Sequence, residues 1–277
     1  MTTKTGELSV ALVKNGASSA PIAFESQCAD WFKLNAKRLA NMWGSEDEAK
    51  KLLLVAMEVV NKNQFLLKCT FESFARSLLT CSEMRLYPGA LQEAAIVPLK
   101  NNRTGKYEAN LWIQYQGLVK LAFNSGFVKS ITSNVVYEAD DFDFCLGTNQ
   151  YLKHKPFLGS SQERGDRRCV YCCIETTQGN QIVVLPMSFI EGIKNKSPGS
   201  RSGSSPWNGT AEDCDAMARK TALRQALKLV PKSTTLAKAL DVEVDSTQLD
   251  LNGAVSIAIE ETSQTQDTGE TKESAGA

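Results

Sequence analysis

Histidine is almost absent from this chain, with one residue, His154, in 277. Triads and His-ligated metal centres draw on the imidazole for proton transfer and ligation, so a single copy nearly excludes both. No GxxxxGK[ST] loop is present to cradle the phosphates of a nucleoside triphosphate, and neither GxSxG nor HExxH occurs. Nothing calls for a cofactor. No apolar run approaches the roughly 20 residues needed to cross a bilayer. The opening Met-Thr-Thr-Lys-Thr-Gly lacks the apolar core of an export signal, which gives the expectation of a soluble, cytoplasmic protein. Without that signal, the 8 cysteines read as reduced thiols. Cys169-x-x-Cys172-Cys173 has half the spacing of a zinc site but no second pair, and the run over 169–175 reads better as a buried strand.

An excess of charge of one sign is missing too: 31 Lys and Arg face 31 Asp and Glu. The balance hides an asymmetry. Nine of the acids and one of the lysines fall in 241–277, which leaves 30 basic against 22 acidic residues before position 241. The body is thus about +8 and the tail about −8. A basic body suits an anionic partner, and an acidic tail reads as solvated and disordered.

What the chain does have is a helical stretch over 211–230, with Thr210 placed to cap it and Pro231 to stop it. Acids fill its first turn and bases its later turns, as the helix dipole favours. Lys220, Arg224 and Lys228 recur every four residues on one arc. Ala216, Ala222, Leu223, Ala226, Leu227 and Val230 fill most of the other side, and Arg219 points toward that side. Such a helix can lie along a phosphate backbone, or it can simply be a core helix with a solvated face.

The preceding chain divides into an arm over 1–20, polar and small, and a domain over 21–240. Its first third predicts three helices, 24–43, 45–60 and 70–86, the second opened by Ser45 with Glu48 as a capping box. Pro88-Gly89 breaks the pattern. Strands over 94–99 and 107–113 then flank a polar tip carrying Lys100, Arg103 and Lys106, read as a solvated turn or as a basic finger. A short helix over 115–125 and strands over 128–137, 142–146 and 151–155 follow, the last carrying Lys153 and Lys155. The acidic run over 138–143 reads as a solvated turn; carboxylates held by a divalent metal in a nuclease are the alternative. Residues 164–168 make a second basic loop. A hairpin over 169–185 leads to a helix that Ser188 and Glu191 would cap, a Ser/Gly loop over 197–206, and Trp207, read as a packing anchor. Residues 233–240 add a turn or two of helix.

Five segments together resemble a known family. They are Leu86-Tyr-Pro-Gly89 with Ile96-Val-Pro-Leu99; the run over 113–122 with its GxxxLA spacing; the run over 135–144 with Gly147 and Leu152-Lys-His-Lys-Pro156; Pro206-Trp207; and the run over 217–224 with Leu229-Val-Pro231. In this order they resemble the RecT/Redβ family of phage single-strand annealing proteins, in its RecT branch. Gln116 departs from the basic residue frequent there, and the match does not extend to residues 1–60 or the tail. The resemblance implies an α+β annealing fold: an antiparallel central sheet with hairpins, an N-terminal helical layer and a long basic helix. It implies ATP-independent binding and pairing of complementary DNA strands in recombination, without enzymatic activity, by a ring or filament of copies in a bacterial cytoplasm. A 5′→3′ exonuclease and a host single-strand-binding protein are the implied partners, besides single-stranded DNA and the annealed duplex. The family's DNA groove maps to Lys100, Arg219, Lys220, Arg224 and Lys228; Arg103, Lys106 and Lys153 join them as candidates from their place in basic elements. A metal-dependent nuclease and a protein scaffold that does not bind DNA stay open as alternatives.

Overall fold

The computed structural model describes residues 19–197, 200 and 205–242, with side chains from Phe24 on. The arm over 1–20 and the acidic tail over 241–277 lie almost wholly outside the described residues, as does most of the Ser/Gly loop. Two compact units emerge, one from the residues up to 79 with 98–109, the other from 80–97 with everything after 110.

The first unit is mainly helical. Helix α1 (Ser19–Trp43) and helix α2 (Glu46–Lys62) pack together across a break at Gly44, whose φ of 87° is a conformation glycine adopts without strain. Ser45 accepts the Glu48 N–H at 3.2 Å. The Glu48 side chain pairs with Lys51, so the N-terminal cap is fixed by the serine. Ala49, Leu52, Ala56 and Val60 recur at helical spacing and form the buried stripe of α2. In α1, Phe24, Cys28, Phe32, Leu39 and Trp43 are buried, but Leu34, expected with them, is 86% exposed. Phe24 meets Phe71 and Phe74 edge-on, at 5.7 and 5.2 Å between ring centroids, at the start of helix α3 (Phe71–Met84). Strands β1 (Ala94–Lys100) and β2 (Tyr107–Ile113) pair as the predicted hairpin, with β1 one residue longer because Lys100, expected in the tip, continues the strand. Two serines of α3 serve the backbone of β2 where water is excluded: Ser73 accepts the Ala109 N–H at 2.8 Å, and Ser77 donates to the Ala109 carbonyl at 2.9 Å.

The second unit is built on a three-stranded antiparallel sheet in the order β3 (Val128–Tyr137), β6 (Arg167–Thr176), β7 (Gly179–Pro186). The long helix, α7 (Ala211–Leu227), packs across all three strands. Thr210 caps it as predicted, in a reciprocal box with Asp213. Ala218, Ala222 and Ala226, spaced by four, bring its backbone close to the sheet, while Ala216, expected on the buried side, is exposed. Strands β4 (Asp141–Cys145) and β5 (Tyr151–Lys155) form a separate two-stranded ribbon. A one-turn helix α5 (Ser161–Arg164) and helix α6 (Met187–Lys196) complete the order, with a last helix α8 over 234–242. The expected box of Ser188 and Glu191 does not form. Helix α6 begins two residues earlier than that box would start it, because Pro186 ends β7 and stands as its N-cap with no side-chain bond. The class is α+β with antiparallel sheets, as the sequence predicts. No helix among the described residues is long and apolar enough to cross a membrane.

Helix α4 (Tyr115–Asn124) packs beside β3 and makes a close approach to Glu93, just before β1. A Cβ at Gly117 would stand 2.0 Å from the Glu93 carbonyl oxygen. Glu93 cannot yield easily: its carbonyl accepts the Gln114 N–H at 3.0 Å, and its carboxylate holds the Tyr87 N–H and Lys120. Gly117→Ala is therefore expected to destabilise the protein by about 1–3 kcal/mol, the range for overpacking, as read by urea unfolding.

Candidate nucleic-acid interface

The hairpin tip belongs to the first unit. Asn101 shapes it, its side-chain oxygen accepting the N–H groups of Arg103 and Thr104 at 3.0 and 3.3 Å. Its backbone bonds Lys106 and Gly105, each at 2.8 Å. This local wiring leaves the side chains of Lys100, Arg103 and Lys106 exposed, with no bond from their charged ends to any described residue.

The other candidates belong to the second unit, where α7 distributes its cations unevenly. Lys228 is the C-cap residue and is exposed. Lys220 and Arg224 are half-buried. Helix α8 covers this stretch: Arg224 Nη2 donates to the Leu240 carbonyl at 3.3 Å, while Leu236, Ala239 and Leu240 are buried. Lys238 of α8 pairs with Glu83 at the end of α3. Burial, and after it the neighbouring charge of Arg224, push the Lys220 ammonium down to about 7. The basic arc thus exists in angle, but only its last member faces water fully. Arg219 behaves differently from the helical wheel. Its backbone carbonyl accepts a bond from Ser133 of β3 at 3.4 Å, and its side chain lines an open cleft of about 270 Å³ along that edge strand. Glu212 and Asp215 line the cleft as well, yet no described carboxylate is within ion-pair distance of Arg219.

The second basic loop has an inward role that spacing does not reveal. Arg164 lies 4.2 Å above the Tyr137 ring and donates twice to Asp140, at 2.9 and 2.8 Å. The Asp140 side chain has no solvent exposure. It also accepts the N–H groups of Tyr137 and Phe157 at 3.0 and 2.9 Å and meets His154 Nε2 at 3.1 Å. Burial alone would raise its pKa; the Arg164 bonds, the two backbone N–H groups and His154 outweigh that and hold it far below the ordinary carboxylate range. The expectation of a solvated turn over 138–143 fails at this residue, and a metal reading would need an oxygen that Arg164 already occupies. Arg167 is committed likewise, to Asp215 at 2.6 Å and to the Ala211 carbonyl at 3.0 Å, and Asp215 also takes the Tyr137 hydroxyl. A register shift between Val136 and Tyr137 lets Arg167 face α7, skipping Arg168, which is exposed. On β6, Cys169 and Cys173 point to one face and Cys172 to the other, so the run cannot close on one ion as a knuckle. Trp207 is buried, as expected for an anchor. Lys153 is exposed on the β4–β5 ribbon, 5.7 Å over the Tyr151 ring.

The RecT family model matches residues 50–250. Protein RecT of Escherichia coli (strain K12) is 31% identical over 199 residues, covering 70% of this chain and 71% of that protein. The chain belongs to the RecT family. The RecT match takes in the β1–β2 hairpin, the sheet, the Tyr137 cluster and the whole of α7. Sequence reasoning missed two elements inside it, the Asp140–Arg164 pair and the α8 cover. The only outward signal of the first was an Asp in an acidic run and an Arg in a basic loop 24 residues on.

Asp140→Asn is expected to lower stability by about 3 kcal/mol at pH 7, the lower end for breaking a buried pair because Arg164 keeps some contact with water. The folded Asp140 pKa lies below its unfolded value of about 3.9. Its stabilisation is therefore complete above about pH 5 and is lost as pH falls through 4 toward the folded value. Urea titrations across pH 2–7 should show a shallower acid limb in the variant. Lys220 gives the same sign of pH dependence in a separate, alkaline window. Between about 7 and its unfolded value of about 10.4, the unfolded chain holds a proton that the folded chain has released, so stability rises with pH. Lys220→Met should flatten that alkaline rise, as measured by the same titration from pH 6.5 to 10.

Proposed function

We propose that this chain is an ATP-independent annealing protein of recombination, which holds single-stranded DNA by its backbone and lets base pairing with a second strand supply specificity. The observation that carries the reading is the RecT family match, which spans the hairpin and α7. Five cations support it physically: Lys100, Arg103, Lys106, Arg219 and Lys228 have charged ends that bond no described residue. Such groups neutralise phosphates without reading sequence. Lys220 and Arg224 lie behind them, half-buried, and add field more than direct contact. The protein works as an oligomer, a ring or filament in which neighbouring copies continue the track. It acts in the host cytoplasm on strands resected by a 5′→3′ exonuclease and covered by the host single-strand-binding protein.

Complementary oligonucleotides should anneal faster with the protein than without it, with no ATP present. Each phosphate contact contributes about 0.7 to the salt slope of single-strand affinity. Arg219→Ala with Lys228→Ala should therefore lower the slope by about 1, and removing Lys100, Arg103 and Lys106 together should lower it by about 2. Filter binding between 50 and 300 mM salt reads both. Unchanged slopes with native circular dichroism would remove those residues from the site, and absence of annealing would refute the function.

A further inference from the structure

The β4–β5 ribbon has only two strands, so each of them is an edge. β4 pairs with β5, and no other strand or bridge among the described residues joins either. Its residues are mostly exposed. An isolated two-stranded ribbon is marginal in water, and unpaired strand edges are templates for another chain. The charge on the edges is segregated. Asp141 and Asp143 stand on β4, and their cross-strand partners Lys155 and Lys153 stand on β5, all on one face. Despite that register, none of the four closes an ion pair with a described residue. The far end of the ribbon carries an apolar rim: Phe144, Leu146 and Tyr151 are 41, 50 and 42% exposed. At its base, Phe142 stacks on Tyr171, His154 meets that ring edge-on, and Asp140 bonds His154 and Phe157, so the ribbon is held firmly.

We propose that this ribbon is a contact between copies of the chain, in which the acidic β4 edge of one copy receives the basic β5 edge of the next. The inference rests on the oligomeric reading above. Like edges repel and unlike edges attract, so β4–β4 and β5–β5 pairing are disfavoured and the contact runs head to tail. The incoming β5 is antiparallel to β4, the geometry β4 already has with its own β5. The patch on one copy differs from the patch on the next, which makes the interface heterologous, the kind that closes into rings or continues as filaments. Phe144, Leu146 and Tyr151 supply apolar area that the contact removes from water. Lys153 then serves assembly before DNA.

The test uses two charge reversals in the full chain, Asp141→Lys with Asp143→Lys, and Lys153→Asp with Lys155→Asp, after circular dichroism has shown native spectra. Where a reversal disturbs the ribbon, Asp143→Asn and Lys153→Gln give a milder version. Sedimentation velocity should show the parent protein as a large assembly, each variant alone reduced several-fold in mass, and an equimolar mixture of the two restored to the parent distribution. The proposal is overturned by a monomeric parent, by either variant assembling normally alone, or by a mixture that stays dissociated. Binding of a short oligonucleotide, too short to bridge copies, separates this outcome from the function. Short-strand affinity that does not fall is expected in the variant with Asp141→Lys and Asp143→Lys. Loss confined to the lysine reversal, with assembly intact, assigns Lys153 and Lys155 to DNA and overturns the contact. A parent that binds no DNA refutes the annealing reading, while the mixing result still decides the contact.

Discussion

The second unit depends on one corner, where Arg164 and Arg167 approach the Tyr137 ring and each takes a carboxylate. A charge without solvent is tolerable only when its bonding capacity is filled. Asp140 meets that condition with two guanidinium bonds, two backbone N–H groups and a histidine. Those partners come from different segments: Arg164 from α5, His154 from β5, Phe157 from the chain after it, Tyr137 from the end of β3. Asp215 extends the same wiring into α7 through Arg167 and the tyrosine hydroxyl. No member can leave without orphaning another, so the end of the sheet, the base of the ribbon and the first turns of α7 are fixed together.

This constraint sorts the basic residues into two kinds. Arg164 and Arg167 are planar, many-donor groups, suited to bidentate and stacked contacts inside a fold. They are neutralised locally and contribute little field outside. The cations with no described partner are mostly lysines at turns and helix ends, where a flexible stem keeps the charge hydrated. The excess of about eight positive charges before position 241 already counts these pairs as neutral, so it lies on cations outside the corner. The hairpin tip, Lys228, Lys153 and Arg168 are among the exposed cations that carry it.

Periodicity and punctuation made the fold legible. The β1–β2 hairpin, the strand over 128–137 and the capped start of α7 were all readable because each signal is local: alternation, a polar tip, a threonine before an acidic turn. Three features were not. Pairing of Asp140 with Arg164 joins residues 24 apart through a loop, and no periodic pattern encodes it. The helical wheel gave the angle of Lys220 and Arg224 correctly but says nothing of what packs there, and α8 was read as a minor extension. At α6, the Ser188 box satisfied the spacing rule, yet Pro186 had already set the extended-to-helical transition two residues upstream. The same limit explains Arg219: its angle points toward the buried side, but that side ends at the edge strand β3, where a cleft opens.

That edge has a consequence for how a strand can be held. Lys220 and Arg224 are close in sequence to Arg219, yet α8 lies on their side and the cleft lies on the side of Arg219. A backbone following α7 from Lys228 toward Arg219 must therefore cross the helix surface, with the half-buried pair acting through the field. Contact at the two ends and field between them is weak in affinity per subunit and tolerant of sequence. Annealing favours that combination, since a strand gripped tightly by one copy could not shift register while it searches for its complement. In the proposed annealing role, affinity would then come from many weak sites in series, which the proposed head-to-tail contact would place in line.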